Sequence, residues 1–321
     1  MNPRPLPLEA RALPRVGLLG NPSDLYGGAV IAFTFDGFRA RVRLARAAGA
    51  GDAQSLAVDW PAAAALDPFT LEGLPRLAAA ALRRLAARFP GARPEAGERI
   101  RLHAATDIPR QVGLAGSSAV IVASLRALAA WQGRELAPLE LAELALAAET
   151  EELGIVAGPQ DRVAQAFEGL VHMEFHETPW RVTELDPALL PPALVAWDPS
   201  PGRDSGAVHN DVRARWEAGD AEVRGVMAEL GVLVAEGLEC LRSGDHRRLR
   251  ELVDANFDLR ARIFPIDARH RRLVELGRAA GAGTKFCGSG GAVLCVVEEP
   301  DELARVEAAF SEAGFPALRV P

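Results

Sequence analysis

The residues best suited to chemistry lie in Pro109-Arg110-Gln111-Val112-Gly113-Leu114-Ala115-Gly116-Ser117-Ser118-Ala119. Glycines let backbone N–H groups come close to a ligand, and an apolar-periodic segment, residues 120–131, follows at once as a helix that adds its positive end. Such a loop holds an anion. Phosphate is favoured, because Ser117 and Ser118 also offer hydroxyls to a phosphate or its magnesium. No GK[ST] follows the glycines, so this is not a Walker loop. A flexible loop ending in a helix-capping serine would have the same composition, and the rest of the chain has to decide between the two.

Three sets of acids could serve such a loop. Asp24 sits in a turn-rich loop between two strands, where an Asx-turn would account for it equally well. Glu149-Thr150-Glu151-Glu152 ends a helix, where carboxylates oppose the macrodipole, so either solvent or a bound cation relieves them. Asp161 falls in the first turn of a helix opened by Gly158-Pro159, a position the dipole favours for any carboxylate. A second glycine-rich loop spans residues 281–292, and its glycines would cost conformational entropy if they served no purpose.

These side chains need elements to position them. Residues 15–20 read as a buried strand, and 29–35 and 38–44 as paired strands with Asp36-Gly37 as their hairpin turn. Residues 71–89 form an amphipathic helix, and 99–106 alternate as a strand leading into the first glycine loop. A helix starts at Pro138 and runs to about residue 153, and 169–175 and 180–185 pair as strands. Pro187, Pro191 and Pro192 mark a domain boundary, giving domains 1–192 and 193–321. Beyond it, Val223, Val226, Met227, Leu230, Val234 and Leu241 make one helical stripe of core packing. Further helices cover 247–263, 268–280 and 301–313, and strands cover 293–297 and 317–320.

Bulk composition narrows the class. The 321 residues are 49% hydrophobic and 25% charged, ordinary for a globular protein with a sizeable core. A net charge of −7 argues against a nucleic-acid binder. Arginine is abundant, with almost no lysine. Only three cysteines occur, without a CxxC pair, which excludes a disulfide framework and fits a reducing compartment. Residues 1–13 lack the apolar core of a secretory signal, and no window is long and apolar enough to span a membrane. A cytoplasmic location is expected, with no nucleic-acid or membrane partner.

Three stretches in order resemble the GHMP kinases, the superfamily of galactokinase, homoserine kinase, mevalonate kinase and phosphomevalonate kinase. Pro14-Arg15-Val16-Gly17-Leu18-Leu19-Gly20-Asn21-Pro22-Ser23-Asp24 is similar to the family's N-terminal substrate motif. Residues 109–119 are similar to its phosphate loop, and Lys285-Phe286-Cys287-Gly288-Ser289-Gly290-Gly291 to its C-terminal glycine motif. The branch resembled most is that of the glucuronokinases, through residues 20–24, 108–111, 152–158, 160–165 and 169–173. Galactokinases carry Glu-His where this chain has Asn21-Pro22, and GLAGSS is one residue longer than the usual superfamily loop.

The resemblance implies an α+β, two-domain GHMP kinase fold, with an N-terminal substrate and phosphate-loop domain and a C-terminal ferredoxin-like domain. It implies ATP and Mg2+ as cofactors and a sugar whose anomeric hydroxyl is phosphorylated, glucuronate giving glucuronate 1-phosphate. ATP would lie on Gly113, Leu114, Ala115, Gly116, Ser117 and Ser118, with Gly288, Ser289 and Gly290 from the last motif. Ser118 and Glu149 would hold magnesium, with Glu151 and Glu152 as competitors for the second place. Asp161 would be the catalytic base, Arg15 the cation near the transferred phosphate, and Asp24 and Asn21 the substrate contacts. Arg110 and Lys285 are further candidates for phosphate neutralisation. An acidic sugar also needs a cation for its carboxylate, which the sequence does not single out. Another GHMP-type kinase, a decarboxylase on the same fold, or a nucleotide-binding sensor are the competing readings, and monomer and homodimer both stay open.

Overall fold

Burial patterns sort the strands into sheets. In the computed structural model, which describes residues 5–47, 51–90, 99–200 and 206–320, the chain divides into two compact units interleaved in sequence. The first unit comprises residues 1–14, 38–108 and 115–167. Its strands β1 (Leu8–Ala12), β4 (Ala40–Arg46), β5 (Ser55–Asp59) and β6 (Arg99–Thr106) form an antiparallel sheet in the order β1-β4-β6-β5. In β4, Ala40, Val42 and Leu44 point inward while Arg41 and Arg43 face solvent, as a sheet covered on one side requires.

Helix α2 (Gly116–Trp131) covers that inner face and packs beside α1 (Gly73–Arg88). It is apolar nearly all round, as a helix enclosed on every side must be. Helices α3 (Pro138–Ala147) and α4 (Gln160–Phe167) complete the layer, with a π-helical turn, Ala148–Glu152, after α3. Arg126 of α2 pins the end of α4 by donating to the carbonyls of Gln165 (3.0 Å) and Ala166 (3.1 Å). Those carbonyls lie in a last helical turn, where a cation is favourable.

The second unit comprises residues 15–37, 109–114 and 168–321 and holds two four-stranded antiparallel sheets. One runs β2-β3-β7-β8, from β2 (Arg15–Leu19), β3 (Ala29–Thr34), β7 (Leu170–Glu174) and β8 (Arg181–Leu185). The other runs β10-β11-β9-β12, from β9 (Ala193–Trp197), β10 (Gly283–Phe286), β11 (Ala292–Val296) and β12 (Ala317–Val320). Counted by appearance, that order is second, third, first, fourth, which is the ferredoxin-like arrangement. Helices α5 (Gly206–Glu217), α6 (Ala221–Ser243), α7 (His246–Ile263) and α8 (Ala268–Ala279) join its first two strands, and α9 (Leu303–Glu312) joins the last two. Phe257, Leu273, Phe286, Val293 and Phe310 form the centre of its core. A second cluster, around Val223, Val226, Leu230, Ile263 and Phe264, packs α5 to α7 together.

Two sequence expectations change. Residues 29–35 and 38–44 are not a hairpin: β3 pairs with β2 and β7, whereas β4 pairs with β1 and β6. The reason is visible in their patterns, since Val30 to Thr34 are all buried, the mark of a strand covered on both faces, while β4 alternates. The segment Gly283–Phe286, read as part of a loop, is strand β10. In sequence, position 192/193 lies between β8 and β9.

A buried lysine helps tie those two sheets together. Lys285 is 1% exposed, and its Nζ donates to Gly17 O (2.6 Å), Asn21 Oδ1 (2.6 Å) and Phe286 O (2.9 Å). Beside it, the Gly17 N–H donates to Cys287 O at 2.8 Å. Burial, reinforced by the charges of Arg260 and Arg15, pushes the Lys285 pKa down from 10.5 to about 7. Lys285→Met would remove three buried hydrogen bonds, a loss that outweighs the relief of removing a buried charge. Denaturant titration should show a drop of about 2–3 kcal/mol. The folded chain binds fewer protons than the unfolded one between about pH 7 and pH 10.5. The wild type should therefore gain stability over Lys285→Met as pH rises through that window.

Candidate active site

Helix α2 begins at Gly116, earlier than its apolar periodicity alone indicates, and this puts Ser117 and Ser118 in its first turn. Ala115 precedes it in the left-handed region (φ 60°), and the first helical hydrogen bond runs from Ala119 N–H to Ala115 O at 3.0 Å. The N–H groups of Gly116, Ser117 and Ser118 are thus the orphan donors of the helix start, aligned with its dipole. Gln165, fully buried in α4, fixes this turn by donating from Nε2 to Ala115 O (3.0 Å) and Leu13 O (2.9 Å).

From that first turn, Ser118 reaches the acidic end of α3. Its Oγ donates to Glu149 Oε1 at 3.3 Å, and both residues are 1% exposed. The π-helical turn swings Glu149 inward, while its neighbours turn away to α1. Glu152 pairs with Arg83 (2.7 Å) and Arg84 (2.8 Å), and Glu151 pairs with Arg84. Of the acids at this helix end, Glu149 alone is buried against Ser118.

Arg162 connects this pair to the next acid. Its guanidinium forms an ion pair with Glu149, lies 3.7 Å from Asp161 Oδ2, and donates to Gly158 O at 2.7 Å. Asp161 stands in the first turn of α4 with 23% of its side chain exposed, whereas Arg162 is almost fully buried. The first unit therefore gathers Ser118, Glu149, Arg162 and Asp161 into one cluster. Its oxygens can hold a hard cation, and its partly exposed carboxylate can take a proton.

The second unit assembles the other motifs. Arg15, at the start of β2, donates from Nη1 to Cys287 O (2.6 Å) and Gly113 O (3.2 Å), and its backbone N–H donates to Leu114 O (3.2 Å). The two glycine loops meet backbone to backbone here. A Cβ on Gly113, which has φ 78°, would lie 2.9 Å from Ser289 N, and one on Gly288 would lie 2.4 Å from Gly113 O. The C-terminal glycines thus brace the first half of the phosphate loop, and close approach is what requires them.

The substrate-motif turn is anchored just as firmly. Asn21 is 4% exposed, with its side-chain oxygen on Lys285 and its backbone carbonyl accepting from Asn256 Nδ2 at 3.1 Å. Asn256 Oδ1 in turn accepts from Gly20 N–H at 2.7 Å. Asp24 follows on the 3-10 turn Ser23–Tyr26, partly buried. Burial first, and the Asp24 charge second, push the Tyr26 phenol up to about 12. Arg110 is exposed, and Lys285 has all its donors engaged inside the protein.

Sequence reading missed Arg162, Gln165, Asn256 and Arg260. Arg162 adjoins Asp161 and could have been suspected from that alone. Gln165 ends the stretch 160–165 without a role assigned to it, and Asn256 and Arg260 lie on α7, which carries no motif.

The chain matches the GHMP kinases N terminal domain over residues 76–169 and the GHMP kinases C terminal domain over residues 238–315. It is 37% identical to Glucuronokinase 1 of Arabidopsis thaliana over 96% of this chain and 90% of that one. It is 36% identical to Probable glucuronokinase 2 of the same organism, over 98% and 94%. In fold it is similar to the crystal structure of Methanococcus jannaschii mevalonate kinase, with a TM-score of 0.78 at 16% identity over 99% of this chain. Matches to both family domains, and relatives this similar over nearly their full length, agree with the three motifs in order: the chain belongs to the GHMP kinase family.

Proposed function

We propose that this chain is an ATP-dependent sugar 1-kinase that phosphorylates the anomeric hydroxyl of glucuronate, giving glucuronate 1-phosphate and ADP. The observation that carries the proposal is its likeness to two glucuronokinases over almost the whole of each chain. The cluster of Ser118, Glu149, Arg162 and Asp161 supports it by supplying the parts phosphoryl transfer needs.

Asp161 accepts the proton of the anomeric hydroxyl as its oxygen bonds to the γ-phosphorus and the bond to the ADP oxygen breaks. Arg162, 3.7 Å away, holds that carboxylate in place. The N–H groups of Gly116, Ser117 and Ser118 receive phosphate charge at the start of α2, next to Gly113, Leu114 and Ala115 in the chain. Gly288, Ser289 and Gly290 complete the nucleotide contacts, and Arg15 adds positive charge beside Gly113. Asp24 bonds sugar hydroxyls, and Asn21 holds the turn that presents it.

Ser118 Oγ and the Glu149 carboxylate are hard oxygen donors, and among the described residues no three His, Cys, Asp or Glu side chains gather into an all-protein metal cage. Such a sparse oxygen set suits magnesium, which keeps water and phosphate oxygens in its coordination sphere. When bound, the ion neutralises charge on the transferred phosphate. The three cysteines are buried free thiols, which supports the proposal of a cytoplasmic setting.

Coupled-enzyme assay should show ADP release with ATP, magnesium and glucuronate, and far less with galactose or mevalonate. No turnover across a panel of acidic sugars would sink the substrate assignment. Asp161→Asn should lower kcat by about 10²–10⁴-fold while ATP binding stays within a few-fold, read by calorimetry. Near wild-type turnover would show that another group takes the proton. Glu149→Gln should raise the magnesium concentration needed for half-maximal rate by at least about 10-fold. Glu152→Gln, which removes a carboxylate paired with Arg83 and Arg84, should leave that requirement where it is.

A further inference from the structure

A uronic acid carries a carboxylate that a kinase selecting it has to recognise, and the cations of the second unit differ in what they have left to offer. Lys285 spends three hydrogen bonds on internal oxygens, and Arg15 is engaged with two backbone carbonyls. Arg260, in the last turn of α7, makes fewer hydrogen bonds. Among the described residues its one hydrogen bond runs from Nη2 to Ser289 O at 3.2 Å, and its Nε is buried without a partner. The guanidinium lies 4.6 Å from the Phe264 ring centroid and 5.7 Å from that of Phe286, which fixes its plane.

A second orphan lies in the same neighbourhood. The Tyr26 hydroxyl is buried and has no hydrogen-bond partner among the described residues, and its ring packs against Trp216 at 4.9 Å. Tyr26 packs against the cluster that includes Leu259, Ile263 and Phe264, which flank Arg260 in the chain, and Asp24 shares the 3-10 turn Ser23–Tyr26 with it. A guanidinium edge and a phenol, both buried and both lacking an acceptor, stand beside the acid proposed to bind sugar hydroxyls. Buried donors are normally satisfied, and the Tyr26 hydroxyl and Arg260 Nε leave two donors for one acceptor. A planar carboxylate suits a guanidinium fork better than any neutral group does.

We propose that Arg260, assisted by the Tyr26 hydroxyl, binds the carboxylate of the sugar acid and is the residue that selects an acidic over a neutral substrate. This rests on the sugar-acid kinase reading above and extends it to the residue that enforces it. Asp24, on the same side of the second unit, then repels a misplaced carboxylate and accepts from hydroxyls.

The test compares binding of D-glucuronate and D-glucuronamide, its neutral amide, to the full chain by calorimetry, with melting temperature as the control for folding. Wild type should prefer the acid by at least about 30-fold, the scale of a charge-assisted hydrogen bond. Arg260→Gln should shrink that preference to within about 3-fold, Arg260→Lys should retain part of it, and Tyr26→Phe should lower it by about 5-fold. A purely structural Arg260 would weaken acid and amide alike and keep their ratio, and that result in a folded Arg260→Gln or Arg260→Lys protein overturns the assignment. Failure of the wild type to bind or phosphorylate glucuronate would instead overturn the kinase reading itself.

Discussion

The Lys285 ammonium is the fixed point on which the second unit turns. It is the only lysine in a chain that uses arginine for every other strong cation. Its surroundings explain the exception. Gly17 O, Asn21 Oδ1 and Phe286 O approach within 2.6–2.9 Å in a space with 1% exposure, and they suit a compact group with three donors at one atom. A guanidinium spreads its donors over a planar fork and could not reach all three without moving a strand. Through this contact the strand that leads into the C-terminal glycine bend and the strand that opens the substrate motif hold each other in place. Arg15, Asn21 and the bend that carries Asp24 inherit their positions from it.

The first unit solves a related problem with the opposite sign. A carboxylate at a helix C-terminus is disfavoured by the dipole, and a buried one is disfavoured again by desolvation. Glu149 suffers both penalties and is nevertheless 1% exposed. The π-helical turn is what places it there, since the wider turn redirects the acid away from the solvent-facing stripe its neighbours follow. Arg162 balances its charge, and the Ser118 hydroxyl supplies a further donor. A local feature that looks unfavourable in the sequence is therefore a sign that something else binds to it.

Much of this was legible beforehand. The glycine loop, Asp161 in a first helical turn, and most elements of residues 168–320 other than α5 and β10 follow from periodicity and turn chemistry, and the ordered motifs disclosed the family. The false hairpin at Asp36-Gly37 shows the limit. Two adjacent apolar segments with a turn between them look like partners, yet β3 is buried on both faces and β4 on one. They therefore belong in different sheets, and only tertiary burial could reveal it. Which of Glu149, Glu151 and Glu152 is buried also lay beyond the sequence. It depends on the π-helical turn and on Arg83 and Arg84 from a distant helix. Gln165 and Asn256 act through side-chain bonds to backbone atoms far away in sequence, at separations of 152 and 235 residues, and no local pattern records that.

Charge burial orders these observations. Each buried cation costs several kcal/mol in lost hydration, and the cost is tolerable only where hydrogen bonds or opposite charges offset it. Lys285 is offset by three oxygens and Arg162 by two carboxylates. Arg260 has a single carbonyl, two ring faces and a nearby Asp24. Ring contacts return about 0.5–2 kcal/mol, less than a full set of hydrogen bonds would. A buried cation with a single hydrogen bond among the described residues is only partly offset by its packing. Catalytic and binding sites keep such incomplete groups because the ligand completes them, and selectivity for an anion then follows from the protein's own electrostatic deficit.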